Sequence, residues 1–207
     1  MVAGILGEKV GMTRIFAQNG ESIPVTVILA GPCQVIQKKT IEKDGYNAVQ
    51  LGFKEVKEKK VSKPITGHLN KYKVNLIKHI REFKVYDSSK YTSGAEVKVD
   101  IFKEGDKVDI MGISKGKGFA GAIKRHHFSG GPKTHGQKEY HRSVGSIGAT
   151  DAARVFKGQK LPGHMGTDRV TVKKVEVIKI NLERNLILVR GSVPGAKGAV
   201  LVINKNG

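Results

Sequence analysis

The residues best suited to chemistry concentrate in one glycine-rich, basic stretch, roughly residues 112–169. Eleven lysines and arginines stand there against three acids, a net charge of about +8, together with five of the seven histidines. Apolar residues occur singly, without the spacing of a helix or a strand, so the stretch cannot bury enough surface to fold by itself. Its charge requires a polyanion, and its glycines permit close approach of the backbone to one. The composition therefore predicts nucleic acid as the partner.

One motif in this stretch suggests an enzyme instead. Gly116-Lys117-Gly118-Phe119-Ala120-Gly121 matches G-x-G-x-x-G and follows a predicted strand. A dinucleotide site needs the following helix to lead into a second strand that ends in an acid about 20 residues on. Glu139 lies at a plausible distance but in polar sequence. The same residues, flanked by cations, suit a cradle for the phosphate backbone better.

The histidines of the stretch also admit a metal site, which normally requires paired ligands with cysteine or acid partners. His126 and His127 are adjacent and the others are scattered among cations, so we expect no metal site, no cofactor and no catalytic residue. Histidines that stack on RNA or hydrogen-bond to it fit this composition better.

The totals agree with a nucleic-acid binder. The chain has 207 residues, a formal net charge of +19 and a pI near 10.0, a charge too high for a typical metabolic enzyme. The sequence has no apolar run long enough for a membrane span, and its beginning does not resemble a signal peptide. The single cysteine, Cys33, follows Pro32 in an apolar run, which predicts a buried structural thiol in a reducing cytoplasm.

The elements that must position the basic stretch are short β-strands separated by turns. The predicted strands are 22–29, 33–39, 46–53, 74–85, 97–102, 107–113, 169–181, 186–190 and 199–203. The pair Asp44 and Gly45 signals a hairpin, and a change of phase at Lys173 and Lys174 predicts a β-bulge. Residues 55–72 suggest a solvated loop or frayed helix. Many short strands of this kind predict a closed or nearly closed barrel.

The basic stretch leaves one strand near Ile113 and re-enters another near Arg169. We therefore expect an out-and-back finger, which about 55 residues could extend to at most roughly 80 to 90 Å. A short basic turn is predicted around Lys9 and Arg14. The expected RNA-binding residues are Lys9, Arg14, Lys115, Lys117, Gly118, Lys124, Arg125, His126, Lys133, His135, Lys138, His141, Arg142, Arg154, Lys157, Lys160, His164 and Arg169.

Several unrelated motifs occur in a fixed order along the whole chain. They are Gly4-Ile5-Leu6-Gly7-Glu8-Lys9-Val10-Gly11-Met12-Thr13-Arg14-Ile15-Phe16, Ser114-Lys115-Gly116-Lys117-Gly118-Phe119-Ala120-Gly121, Gly145-Ser146-Ile147-Gly148, Val155-Phe156-Lys157-Gly158, Gly163-His164-Met165-Gly166, Glu183-Arg184-Asn185-Leu186 and Val193-Pro194-Gly195-Ala196. Together they resemble the family of bacterial ribosomal large-subunit protein three, the universal L-three family.

This resemblance implies a mainly β fold: a six-stranded closed barrel of the elongation-factor second-domain type, with a long irregular basic extension and little helix. It implies a globular domain of residues 1–113 and 169–207, with a surface insertion around 55–95, and an extended loop of residues 114–168 that penetrates rRNA. The tip is expected near residues 148–154. Ala149 and Thr150 follow Gly148 where some relatives have a methylated glutamine, so we expect no such modification.

The same resemblance implies the function and the partners. They are those of a structural constituent of the large (50S) ribosomal subunit in the cytoplasm, which binds 23S rRNA near its 3′ end, nucleates assembly and extends a loop towards the peptidyl-transferase centre. Large-subunit proteins fourteen and nineteen are the implied neighbours. The residues themselves leave three alternatives: a basic RNA chaperone without a fixed site, a nucleotide-cofactor enzyme, and a DNA-architectural protein, for which no recognition helix is apparent.

Overall fold

The computed structural model describes residues 4–86 and 91–205, whose secondary structure is mainly β-strand. The strands are β1 (Gly4–Phe16), β2 (Ser22–Ala30), β3 (Cys33–Lys39), β4 (Ala48–Glu55), β5 (Ile77–Lys84), β6 (Glu96–Val97), β7 (Lys107–Ile113), β8 (Phe119–Ala120), β9 (Gly163–His164), β10 (Arg169–Asn181), β11 (Leu186–Arg190) and β12 (Val200–Lys205). The α-helices of this part are α1 (Ile41–Asp44), α2 (Lys63–Lys71) and α3 (Ala122–His126).

Six of these strands pair in a ring. Their order is β1-β12-β7-β10-β11-β2, and β2 pairs with β1 again, every pairing being antiparallel. The ladder of hydrogen bonds is therefore continuous, although the strands are not spaced evenly around one axis. Alternating aliphatic residues point inward, among them Ile5, Ile28, Ile110, Ile187 and Leu201, all 0% exposed. Burying each such side chain contributes about 1.5–3 kcal/mol.

A second sheet has the order β5-β4-β3-β6. Its strand β3 contributes Cys33 and Val35 to the main core. Helix α2 packs on this sheet through Leu69, which joins Ile36, Val74 and Ile77 in a smaller apolar cluster. The loop or frayed helix expected at 55–72 is thus in part a helix, because Leu69 gives it one buried contact.

Several predictions from the sequence are confirmed. Strands 33–39, 107–113 and 186–190 have the predicted bounds. The predicted bulge is present, since the register of β10 against β7 shifts between Val172 and Val175. There Lys174 takes a left-handed φ of 55° and its N–H donates to Asp109 Oδ1 over 2.8 Å. The Cys33 thiol is fully buried, and burial raises its pKa to about 12.

Two predictions of local structure are wrong in part. Residues 97–102 were expected to form one strand, but the strand is only Glu96–Val97, and a 3₁₀ turn follows over Val99–Ile101. The turn brings Val99 and Phe102 into the core together, at 1% and 3% exposure. The hairpin of β3 and β4 is present, but helix α1 connects its strands, and Gly45 closes that helix at a φ of 79°.

The basic turn predicted around Lys9 and Arg14 is also wrong, because both residues lie within β1. The glycines that suggest a turn have another cause. A Cβ on Gly7 would stand 2.8 Å from the carbonyl oxygen of Leu29 on the paired strand, so glycine permits the close approach of β2.

The chain divides into two compact units, Met1–Ile113 with Arg169–Gly207, and Ser114–Asp168. We call the first the globular unit and the second the inserted segment. No helix among the described residues is both long and apolar enough to cross a lipid bilayer.

Candidate nucleic-acid interface

The two ends of the inserted segment run antiparallel and form a stem, residues 114–120 with 163–168. The Ser114 N–H donates to the Asp168 carbonyl over 2.9 Å, and the amides of Lys117 and Met165 donate to the carbonyls of Met165 and Gly118, also over 2.9 Å. Strands β8 and β9 continue this pairing. The backbone is thereby satisfied across the stem, and the side chains remain available.

Two glycines of the stem are required by close contacts. Gly166 has a φ of +82°, and a Cβ there would collide with the carbonyl oxygen of Lys115. A Cβ on Gly163 would lie 2.7 Å from Nη1 of Arg125, whose guanidinium packs over the glycine. Part of the glycine content therefore serves the stem itself, and a phosphate cradle is not its only explanation.

Helix α3 is tied to the opposite side of the segment by two of the predicted RNA-binding residues. Arg125 Nη1 donates to the Leu161 carbonyl over 2.8 Å, and His126 Nε2 donates to the same oxygen over 3.1 Å. Both side chains are partly buried. Their contacts within the chain position α3, and the remaining guanidinium N–H groups of Arg125 are left for a ligand.

Two further histidines hold turns. His141 Nδ1 donates to the Pro132 carbonyl over 3.0 Å, and His164 Nε2 donates to the Gly166 carbonyl over 2.9 Å. Because a carbonyl oxygen can only accept, these contacts fix which ring nitrogen carries the proton. The second ring nitrogen of each neutral imidazole is then an acceptor, which suits a ribose 2′-hydroxyl.

The cations of the inserted segment are uncompensated. The six ion pairs found among the described residues all lie in the globular unit. Nine predicted RNA-binding cations of the segment are exposed, namely Lys115, Lys117, Lys124, Lys133, Lys138, Arg142, Arg154, Lys157 and Lys160, and His135 is exposed beside them. Gly118 adopts a left-handed φ of 64° between two of these lysines. Such a surface attracts phosphates without breaking internal contacts.

Exposed aromatic residues are the part of the site that the sequence reasoning missed. Phe119, Tyr140 and Phe156 are 80%, 67% and 51% exposed. The Arg154 guanidinium lies 5.2 Å from the centroid of the Phe156 ring. Solvated aromatic faces among cations are typical surfaces for stacking unpaired bases. Their signal in the sequence was the presence of aromatic residues where no apolar periodicity calls for a core.

Residues 148–154, the expected tip, contain one non-glycine residue in a left-handed conformation. Residues Thr150–Ala152 form a 3₁₀ turn, and Ala153 closes it at a φ of 49°. A left-handed conformation costs a residue with a Cβ about 1–2 kcal/mol relative to glycine. The exposed surroundings of Ala153 offer no burial that offsets this cost.

The three predicted RNA-binding residues of the globular unit differ from one another. Lys9 is only 8% exposed, and its ammonium donates to the carbonyls of Val193 and Gly195 over 2.8 and 3.1 Å. It anchors a loop of the globular unit, so its expected role in RNA binding does not fit its position. Arg14 and Arg169 are exposed, on β1 and at the start of β10.

The geometry of the glycine motif does not match a dinucleotide site. Strand β8 pairs antiparallel with β9, and the helix that follows is only the five residues of α3. Among the described residues no group of three histidine, cysteine or acidic side chains is arranged to hold a metal ion. The arrangement offers phosphate contacts, acceptors for hydroxyl groups and stacking faces.

Comparison with known proteins gives one consistent result. A family model described as ribosomal protein L3 matches residues 34–185. The large ribosomal subunit protein uL3 of Carboxydothermus hydrogenoformans is 58% identical over 99% of this chain and 98% of its own length. The uL3 proteins of Heliobacterium modesticaldum and Thermosipho melanesiensis are 55% and 57% identical, over 98% and 96% of this chain and 96% of each relative.

The match spans both the strands of the globular unit and the whole inserted segment, and it extends over nearly the full length of each relative. A family of structural ribosomal proteins, not of enzymes, accounts for the uncompensated basic surface and for the absence of a dinucleotide geometry in the glycine motif. The chain belongs to the ribosomal protein L3 family.

Proposed function

We propose that the protein is a structural constituent of the large ribosomal subunit in the cytoplasm, and that it binds 23S rRNA through the inserted segment. The relatives named large ribosomal subunit protein support the first part. One observation carries the second part: ten cations of the segment, set against three acids, form no ion pair, while only Ala120 and Ala122 are buried.

The segment contacts RNA in three ways under this proposal. Lysines neutralise phosphates as point charges, and Arg142 and Arg154 offer forked pairs of donors. Phe119, Tyr140 and Phe156 stack on unpaired bases. His141 and His164 accept hydrogen bonds from 2′-hydroxyls, which distinguishes RNA from DNA. The shape of folded RNA, more than a base code, then determines the site.

The finer parts of the function extend this proposal. The protein binds near the 3′ end of 23S rRNA, helps to nucleate assembly of the 50S subunit, and extends residues 114–168 towards the peptidyl-transferase centre. Large-subunit proteins fourteen and nineteen are its neighbours. The ring of six strands is a barrel of the elongation-factor second-domain type, and residues around 55–95, of which 87–90 lie outside the described residues, are its surface insertion. The continuous pairing of the ring is compatible with this.

Binding to a transcript of the 23S rRNA 3′ domain, compared with a scrambled RNA of equal length across a salt series, tests the proposal. We expect a preference for the ribosomal RNA that survives moderate salt. Changing Lys117, Arg142 and Arg154 to alanine should weaken binding by about 1 kcal/mol each and flatten the salt slope by about 0.7–0.9 for each phosphate that is no longer neutralised.

The control replaces three exposed cations of the globular unit, Lys43, Lys103 and Arg184, with alanine. It removes the same charge and should leave the preference unchanged. Equal affinity of the unaltered chain for both RNAs, declining steeply with salt, would favour the basic RNA chaperone instead.

We also propose that the inserted segment becomes fully ordered only on RNA, since two buried alanines cannot offset the entropy of ordering 55 residues. Hydrogen exchange of the free protein should show rapid exchange of amides over residues 121–162 and slower exchange once RNA is bound. Slow exchange throughout that range without RNA would contradict this.

A further inference from the structure

The globular unit contains a second basic site, a cleft of about 480 Å³ between strand β5 and the neighbouring strands β7 and β12. Its volume lies within the range of about 300–1,000 Å³ that is usual for ligand pockets. We call it the β5 cleft. Its lining comes from parts of the chain far apart in sequence: Ile65 of α2, residues 78–81 of β5, residues 111–113 of β7, Arg169, and residues 199, 200 and 202.

The charged residues that line the β5 cleft, which we call its rim, are all cationic. Lys78, Arg81 and Arg169 line it, His79 stands between the first two, and no acidic residue belongs to the lining. The nearest acid along β5, Glu82, lies 3.1 Å from the ammonium of Lys39 and accepts a hydrogen bond of 2.8 Å from the hydroxyl of Tyr46. That carboxylate is therefore engaged elsewhere, and the rim keeps its positive charge.

The apolar residues that line the β5 cleft, which we call its floor, come mainly from two paired strands. They are Met111, Ile113, Val200 and Val202, together with Ile65 of α2. Ile113 and Ile65 are 49% and 40% exposed, so part of the apolar lining is open to solvent. An apolar floor under a cationic rim matches a flat hydrophobic ring that carries a phosphate.

We propose that the β5 cleft binds an unpaired nucleotide of the RNA, with the base on the apolar floor and the adjacent phosphates on Lys78, Arg81 and Arg169. The inference rests on the proposed function, because it takes the RNA bound by the inserted segment as the source of the nucleotide. Arg169 follows the inserted segment directly in the chain. The positive charge favours RNA over an apolar protein segment, and the apolar floor favours a base over a flexible acidic peptide.

Two variants of the full-length chain test this. The first changes Lys78, Arg81 and Arg169 to alanine and should weaken binding to the 23S rRNA 3′-domain transcript by about 10- to 100-fold, with a salt slope flatter by about 2 to 3. The second, Ile113→Ala, removes part of the apolar floor and leaves the charge unchanged. It should weaken binding about threefold at an unchanged salt slope. Both sets of positions are at the surface, so folding is preserved, which circular dichroism checks.

The variant Lys43→Ala, Lys103→Ala, Arg184→Ala is the matched control, because it removes the same charge from the same unit away from the β5 cleft. If both triple variants lose affinity equally, the cleft is only part of a diffuse positive field and the inference is overturned. A third outcome is possible, in which neither cleft variant changes the affinity but alanine substitution of Lys117, Arg142 and Arg154 weakens it. The inserted segment then binds the RNA alone, so the proposed function stands and this inference fails. If the unaltered chain shows no preference for the transcript, the proposed function fails first.

A tethered cleavage reagent gives an independent measurement, since the one native cysteine is fully buried. A cysteine introduced by Ile65→Cys, beside the β5 cleft, can carry iron-EDTA as the only accessible thiol. We expect cleavage at a few adjacent RNA positions that a Lys43→Cys probe does not reach. Cleavage spread evenly along the transcript from both probes would overturn a fixed nucleotide site.

Discussion

The globular unit and the inserted segment are built from the same chain by opposite means. Among the described residues of the globular unit, 23 buried residues form the main core, and six ion pairs lie at the surface. In the inserted segment, two alanines are buried, and backbone pairing along the stem holds the ends together. The first unit carries its stabilising contacts within itself. The second presents exposed aromatic side chains and cations that form no ion pair among the described residues.

Lysine residues have different roles in the two units. Lys9 is enclosed and donates to two backbone carbonyls of its own unit, whereas Lys115 and Lys117 stand in solvent without an ion pair. Enclosed cations stabilise a fold through specific acceptors. Exposed cations in a run without acids repel one another, and they become favourable only when phosphates separate them.

The largest effect is expected from removing the inserted segment. Ile113 and Arg169 are paired neighbours in the β7–β10 ladder, so a short glycine turn can join them directly. The shortened chain should unfold with a free energy close to that of the full chain but bind the 23S rRNA 3′-domain transcript about a thousandfold more weakly, near the non-specific level. Denaturant unfolding and RNA titration of the same preparation measure both. An unfolded product would show that the two units depend on each other.

Isoleucine-to-alanine substitutions should affect the free energy of unfolding differently in the two units. Ile110→Ala, at 0% exposure, should lower the free energy of unfolding by about 2–5 kcal/mol, because it leaves a cavity in the core. Ile147→Ala, at 49% exposure in the inserted segment, should change it by less than about 0.5 kcal/mol. Urea denaturation of both variants provides the measurement. Comparable losses at the two positions would mean that the segment has a core of its own.

A smaller effect is expected at the tip. Ala153→Gly removes the cost of a left-handed conformation at a φ of 49° and should increase rRNA affinity by up to about 1 kcal/mol, since less strain accompanies ordering. Ala149→Gly, at an extended position four residues earlier, is the control and should weaken binding slightly through added chain entropy. The prediction is wrong if the two substitutions act alike.

The smallest effect concerns pH and the globular unit. Partial burial, and then the charges of Lys78, Lys54 and Arg81, hold the pKa of His79 below its usual value, outweighing Glu8. The unfolded state then binds the proton more readily, so stability should decline as pH falls below about 6.5. His79→Gln should flatten this part of the pH profile in thermal unfolding. RNA in the β5 cleft should oppose the decline, because a phosphate favours the charged imidazole.

Asp106 should contribute to the pH dependence of stability in a more acidic range than His79 does. The hydrogen bond from Lys205, followed by the one from the Lys103 amide, lowers the pKa of Asp106. Its stabilising contribution is present above the ordinary aspartate pKa of about 3.9 and disappears only as pH falls through the lower folded value. The declines due to His79 and to Asp106 should therefore occupy different pH ranges.

The fold could be predicted from the sequence where alternation is local. Strands 33–39 and 107–113 and the bulge at Lys174 follow from patterns within a few residues. Strand β1 was missed because its glycines look like turn residues, and their reason is the approach of β2, which no local pattern shows. The turn at Val99–Ile101 was missed for the same reason, because no local pattern shows that Val99 and Phe102 are both buried in the core.

The candidate site divides in the same way. The basic surface could be predicted, because uncompensated charge is a property of composition. The structural duties of Arg125 and His126 could not, because both depend on the pairing of residues 114–120 with 163–168. The β5 cleft could not either, since its lining comes from five separated parts of the chain. The sequence predicts the charge of a segment, whereas the tertiary structure determines which of its side chains form contacts within the chain.

The order of strands in the ring has a consequence for synthesis. Strand β1 pairs with β12, from Gly4 opposite Asn204 to Glu8 opposite Val200, and β12 also completes the ladder to β7. A growing chain therefore presents β1 and β7 with unpaired edges until residues 200–205 have been made. The inserted segment is synthesised before residues 200–205, so under the proposed function it can meet RNA while the ring is still open. Folding of the ring and binding of RNA can then overlap in time on one nascent chain.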